Sequence, residues 1–383
     1  MGVDALPDLI GESVAAVAAG GDPLPGATIA LLEWLAVASG LSSERRVTDD
    51  QTNASVVADG RFIVKWLRVP DPVDRGWALV KHARANGFTA TPAAPARLQS
   101  AGRTLATVHE YLPDAVDGWT WCVAAAVAEI RDGTTAGAWA PAIGSLTAQL
   151  AAALATAAED TATVVGDVAD DRGMDTSAAG VRARELIHQT HEEVRAASRL
   201  DSGGLLRDVW HGIDRAAADA IGDLVAGPAH GDLHVGQLLE WPGGFAIVDF
   251  DGDPARPSAD LLPYDVDLAH LLVSLELVGS VAAKRLVGEA ANPNGTTELD
   301  ARIAAWAHSA KQRVLDAYRA ELRAADLLAL HRPELLEVLE VRQLARELEY
   351  ADAYLPRFEY ATVDALRRRL TRVKPGSASR PAS

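Results

Sequence analysis

The stretch AHGDLHVGQLLEWPGGFAIVDFDGD, residues 229–253, decides how the chain is read. Two apolar runs, QLLEW and FAIVDF, flank the turn residues PGG and predict a β-hairpin. Asp232 lies in the loop entering the first strand, and Asp249 lies at the end of the second. Antiparallel strands place the start of one beside the end of the other. Asp232, Gln237 and Asp249 are therefore expected to converge, although the two aspartates are 17 positions apart. Gathered carboxylates repel one another unless a positive charge sits among them. A hard divalent cation on oxygen ligands resolves the conflict, and Mg²⁺ with phosphate is the common case.

HGDLxxxQ followed by IVDFDG resembles the catalytic and metal loops of the aminoglycoside phosphotransferase-like kinases. That superfamily is related to the eukaryotic protein kinases, with their HRDxxxxN and DFG signatures. Within it, HGDLHVGQLL, FAIVDFDGDPARP and DVDLAHLL are most similar to maltokinases and actinobacterial glucosamine kinases. The similarity runs from about residue 45 to 360 and is strongest over 230–273. It implies that Asp232 is the catalytic base at the sugar hydroxyl, with His234 also at the substrate. It implies Gln237, in the usual place of asparagine, and Asp249 as ligands of Mg²⁺ (Mn²⁺ as a substitute), with Asp251 assisting a second metal. His230 and Asp267 would brace the loop, and Asp267 reads equally as a helix N-cap. Two other readings stand beside these: surface acids next to a structural hairpin, and a zinc site from His230, Asp232 and His234.

Working outward, SVVADGRFIVKWLRV contains two β-rich runs around Asp59-Gly60, a preferred pair for a tight hairpin. Lys65, one of only five lysines, sits within the second run. A lysine there is costly without an anionic partner, and nucleotide phosphates are one such partner. The preceding TDDQTNASVV supplies Asn53 and Ser55 as phosphate-loop donors, without the glycines of protein kinases. The helix expected over about 72–87 carries no glutamate for Lys65, only Asp74. RTLATVHEYLP reads as a strand over 103–113; His109, Glu110 and Tyr111 fall in the connector whose backbone would bind adenine.

In EVLEVRQLARELEYADAYLPRF, Val338, Val341, Leu344, Leu348 and Ala351 form one apolar helical stripe. Gln343, Glu347, Tyr350 and Tyr354 form another face, which combines amide, carboxylate and aromatic groups as a sugar site does. It also resembles the sugar-binding segment of the glucosamine kinases. Glu347 favours an amino sugar over neutral maltose, because a buried carboxylate left unpaired is penalised.

A net charge of −17 argues against nucleic acid and anionic membranes as partners. No apolar run reads as a membrane span, and one cysteine, Cys122, excludes an internal disulfide. A cytoplasmic monomer acting on a sugar and ATP is expected. The fold class is α+β, two-lobed and protein-kinase-like. A helical cap is expected over 1–45, a small β-containing lobe over 46–113, a large helical lobe over 114–373 and a disordered tail over 374–383. The implied activity is ATP-dependent phosphorylation of glucosamine at its 6-hydroxyl. A maltokinase, an aminoglycoside phosphotransferase and a pseudokinase that binds nucleotide without turnover are the alternatives.

Overall fold

The computed structural model describes residues 6–47, 53–71, 74–156, 181–201, 203–213, 222–253, 261–289 and 296–373. The expected polar loop near 160–178, the tail 374–383, residues 48–52 of the phosphate loop and part of the helix expected over 204–225 lie outside the described residues. The chain divides into two compact units. One comprises Met1–Val116, Thr156–Thr176 and Leu239–Ala259; the other comprises Asp117–Ala155, Ser177–Leu238 and Asp260–Ser383.

The first unit is built on a five-stranded antiparallel sheet: β1 (Glu44–Val47), β2 (Ala54–Ala58), β3 (Phe62–Asp71), β4 (Ala96–Ser100) and β5 (Arg103–Glu110), in the order β1-β2-β3-β5-β4. The β2–β3 turn at Asp59-Gly60 has positive φ at both residues, 48° and 62°, as its hairpin geometry demands. Side-chain alternation then sorts the two faces. Val56, Val64, Trp66, Ala106 and Val108 are buried on one face against Ile10, Val17, Leu31 and Leu32 of α1 (Asp8–Ala18) and α2 (Ala27–Trp34). The indole of Trp66 donates to the Thr28 hydroxyl at 3.1 Å. The N-terminal helices thus supply the second layer without which the sheet would expose its apolar face. The opposite face carries Ser55, Lys65 and Thr107 in register across three strands.

Two strands of this sheet have no counterpart in the sequence reading. β1 (ERRV) and β4 (ARLQS) are polar edge strands, which need little apolar alternation to pair. β5 ends at Glu110 rather than Pro113, and α3 spans Arg75–Ala85, starting later than 72. A second hairpin, β6 (Leu238–Trp241) with β7 (Gly244–Ile247), is shorter than the sequence suggests, so Val248 and Asp249 lie beyond it.

The second unit is helical: α4 (Gly118–Asp132), α5 (Trp139–Ala155), α6 (Ala183–Ala197), α7 (Leu205–Gly212), α8 (Asp265–Glu289), α9 (Thr296–Ala324), α10 (Pro333–Tyr354) and α11 (Glu359–Val373). α8 packs against α4, α9, α10 and α11. Contrary to the sequence expectation, this segment is long and apolar enough to cross a bilayer by length and composition; 83% of its apolar 18-residue stretch is buried inside the protein, as in a core helix. α5 crosses α9 so closely that a Cβ on Gly144 would lie 2.3 Å from the Val314 carbonyl oxygen.

Glu193 of α6 accepts from Arg342 and Arg346 of α10, at 2.7 Å and 2.9 Å for the closest bonds. Burial raises its pKa, but the two guanidiniums outweigh burial and hold it down to about 2. A depressed carboxylate stabilises the fold above its ordinary pKa, and the contribution is lost as pH falls through the folded value. In urea unfolding, wild type and Glu193→Gln should therefore differ most above pH ~4.5 and converge towards pH ~2. A difference independent of pH would show that the ion pairs contribute no linked stability.

Candidate active site

In the first unit the strand lysine meets the loop after β7. Lys65 forms an ion pair with Asp249, and its Nζ lies 3.5 Å from Asp251 Oδ2. Three features hold that loop. The Ile247 amide donates to the Ala90 carbonyl at 2.9 Å, Arg75 donates to the Phe250 carbonyl at 3.0 Å, and Asp249 adopts a positive φ of 66°. Two carboxylates share one ammonium here. Burial raises the pKa of Asp251, and Asp249 adds to the rise while Lys65 opposes it. The hard oxygen donors of Asp249 and Asp251, gathered in one loop, fit a cation such as Mg²⁺. Asp74 is not the partner of Lys65; its carboxylate accepts from Arg97 at 2.6 Å and from Thr104 at 2.8 Å.

Ser55 is buried opposite Lys65, and Asn53 immediately precedes β2. His109 lies on the same sheet face, two residues beyond Thr107, and burial together with Lys65 pushes its pKa down to about 3. It is a neutral ring. The amides of Glu110 and Tyr111 donate to the carbonyls of Ala93 and Arg61, both at 2.9 Å. A nucleotide base at this segment would have to be met by groups other than those two amides.

In the second unit, α8 organises the loop that carries Asp232. Asp267, inside α8 rather than at its N-cap, accepts from the amides of His230 and Gly231, each at 2.8 Å. Ser274 accepts from the Val235 amide at 3.1 Å. Between them, His270 reaches Asp232 with Nδ1 at 3.6 Å and Glu347 with Nε2 at 3.3 Å. Residues 267, 270 and 274 are three and four positions apart and so share one helix face. His270 was not among the sequence candidates. Its signal was present, as one of three polar residues at helical spacing within an apolar run.

Gln237 ends a short 3₁₀ turn, Val235–Gln237, rather than starting a strand, and its side chain lies 3.4 Å from His234 Nε2. The turn abuts α4: a Cβ on Gly118 would sit 1.5 Å from the Val235 carbonyl oxygen. His234 Nδ1 accepts from the Gly236 amide at 2.9 Å, and His230 Nδ1 from the Asp232 amide at 3.3 Å. Among the described residues no three His, Cys, Asp or Glu side chains gather as a metal site, so the zinc reading has no support.

On α10, Gln343 donates to Glu347 at 2.9 Å. Burial raises the Glu347 pKa, but His270 and Gln343 outweigh burial and lower it, which favours the carboxylate. The rings of Tyr350 and Tyr354 lie 5.2 Å apart and are exposed, while Val338, Val341, Leu344, Leu348 and Ala351 are buried as the stripe predicts.

A lysine on an antiparallel sheet and an HGD loop braced by the following helix define a phosphotransferase of the aminoglycoside phosphotransferase-like class. No family model matches the chain. The chain is 33% identical over 372 residues to the glucosamine kinase of Mycolicibacterium smegmatis, covering 89% of this chain and 84% of that one. A solved glucosamine kinase in complex with glucosamine, ADP and inorganic phosphate superposes with a TM-score of 0.70 at 28% identity, covering 91% and 87% of the two chains. An aminoglycoside phosphotransferase solved with GDP and kanamycin shares the fold, with a TM-score of 0.50 at 11% identity over 91% and 99%. The chain belongs to the glucosamine kinase family.

Proposed function

We propose that the protein transfers the γ-phosphoryl group of ATP to the 6-hydroxyl of glucosamine, yielding glucosamine 6-phosphate and ADP. Membership of the glucosamine kinase family supports both donor and acceptor. The observation that carries the acceptor is Glu347, a carboxylate about one-fifth exposed and linked through His270 to Asp232. Glucosamine offers it an ammonium, whereas glucose and maltose do not.

Asp232 orients the acceptor hydroxyl and takes its proton as the phosphoryl group arrives. Lys65 turns from its carboxylates to the phosphates, and Ser55 lies beside it on the same sheet face. Asp249 and Asp251 would hold Mg²⁺, which would neutralise phosphate charge; the resemblance alone gives Gln237 the same role. The protein supplies mainly position and fixed charge, the dominant contributions to phosphoryl transfer. The deciding test is ADP release across glucosamine, glucose, maltose and aminoglycosides, with NMR of the product. Glucosamine should give the highest kcat/KM and carry phosphate at C6. A preference for maltose or kanamycin would replace this reading, and nucleotide binding with no ADP release on any acceptor would leave a pseudokinase.

Two substitutions probe the parts separately. Lys65→Met should raise KM for ATP more than KM for the sugar; unchanged kinetics would remove Lys65 from the phosphate site. Glu347→Gln keeps shape and one hydrogen bond but deletes the charge, a difference of about 1.5–3 kcal/mol for a charge-assisted bond. The preference for glucosamine over glucose should fall roughly 10- to 100-fold, with little change on glucose. Equal losses on both sugars would make Glu347 structural.

A further inference from the structure

One imidazole stands between the two carboxylates on which this reaction depends. His270 Nδ1 faces Asp232 and Nε2 faces Glu347, at 3.6 Å and 3.3 Å, and its side chain is 8% exposed. The ring has little freedom to turn. It projects from α8 between Asp267 and Ser274, which hold the Asp232 loop by backbone bonds. The His234 ring packs on it at 5.3 Å. Burial opposes charge on the ring, yet Glu347, Asp232 and Asp267 outweigh burial and favour the imidazolium. The ring offsets the repulsion between two largely buried carboxylates from different elements, beside the contacts of Gln343 with Glu347 and of His234 with Asp232.

We propose that His270 is a positioning residue that sets the spacing between the acceptor's amine site at Glu347 and its hydroxyl site at Asp232. The proposal rests on the glucosamine kinase reading above and adds a consequence of its own. The two ring nitrogens have separable tasks: Nδ1 serves the reacting end of the sugar, and Nε2 serves the amine end.

Side-chain length separates them. In His270→Asn the amide reaches about as far as Nδ1 and keeps a polar contact for Asp232 while abandoning Glu347. In His270→Gln the amide reaches about as far as Nε2 and keeps Glu347 while abandoning Asp232. His270→Asn should raise KM for glucosamine about 10- to 100-fold, the scale of one charge-assisted hydrogen bond, and leave KM for glucose and kcat within about threefold. His270→Gln should show the reverse split, with kcat lowered about 10- to 100-fold on both sugars and KM for glucosamine nearly kept. Equal losses in both variants on both sugars, with unchanged circular dichroism and Tm, would overturn the proposal and leave His270 a packing residue. So would wild-type kinetics in either.

A measurement on the wild type guards against variants that fail to fold. Saturating glucosamine, but not glucose, should shift the imidazole ¹⁵N resonances of His270, because an ammonium at Glu347 competes for its charge. No shift in a protein that phosphorylates glucosamine overturns the proposal while sparing the function. A wild type inactive on glucosamine overturns the function, and the proposal with it.

Discussion

Asp232→Asn should lower kcat by roughly 10²–10⁴, the usual effect of losing a general base, while leaving Tm and ATP binding near wild type. Asparagine matches aspartate in size and keeps a polar group toward His270 and His234, which lie 3.6 Å and 3.9 Å from the two carboxylate oxygens. The loop itself is held by backbone bonds from His230 and Gly231 to Asp267, which the substitution leaves in place. What disappears is the ability to accept the hydroxyl proton. Steady-state ADP release, together with a thermal shift in the presence of nucleotide, separates the two outcomes. Activity near wild type would remove Asp232 from the chemistry; a collapsed Tm would make it a fold residue.

Glu276→Gln should destabilise the second unit by about 3–5 kcal/mol, the cost of breaking a buried ion network by removing one member. Glu276 of α8 pairs with Lys311 of α9 at 2.5 Å and with Arg369 of α11 at 2.8 Å. Glu340 of α10 binds the same two cations at 2.9 Å and 2.8 Å. The two carboxylates and two cations balance, and every side chain is at most 13% exposed. Burial works against the Glu276 carboxylate, and Arg369 and Lys311 outweigh it. Deleting its charge leaves two buried cations facing one anion. Urea unfolding should show a lower midpoint, whereas a change below about 1 kcal/mol would class the network with surface pairs.

Both predictions turn on α8, whose sequence is mostly legible as an apolar helix. Its polar residues are the exception, and their spacing carries information. Asp267, His270 and Ser274 face the Asp232 loop, while Glu276 and Ser280 face α11: Arg369 donates to Glu276, and Ser280 donates to the Ala361 carbonyl at 3.1 Å. Two polar faces on one buried helix require two sets of partners, and the sequence alone does not say which.

The amino-acid sequence by itself determined the superfamily and the β2–β3 hairpin, together with the apolar stripe on α10. Those features are local: turn residues with a positive-φ requirement, a 3.6-residue period, and motifs of contiguous residues. Only the tertiary structure decided the partners. Lys65 meets Asp249 and Asp251, whereas Asp74 pairs with Arg97 and Thr104. The N-terminal helices cover the sheet because Trp66 and its apolar neighbours need a second layer. Glu347 and Asp232 meet the same His270 ring, across 115 positions of chain from loop to α10. Burial drives the pairing at His270, whose side chain is 8% exposed, because a charge taken out of water must find an opposite charge wherever the fold brings one.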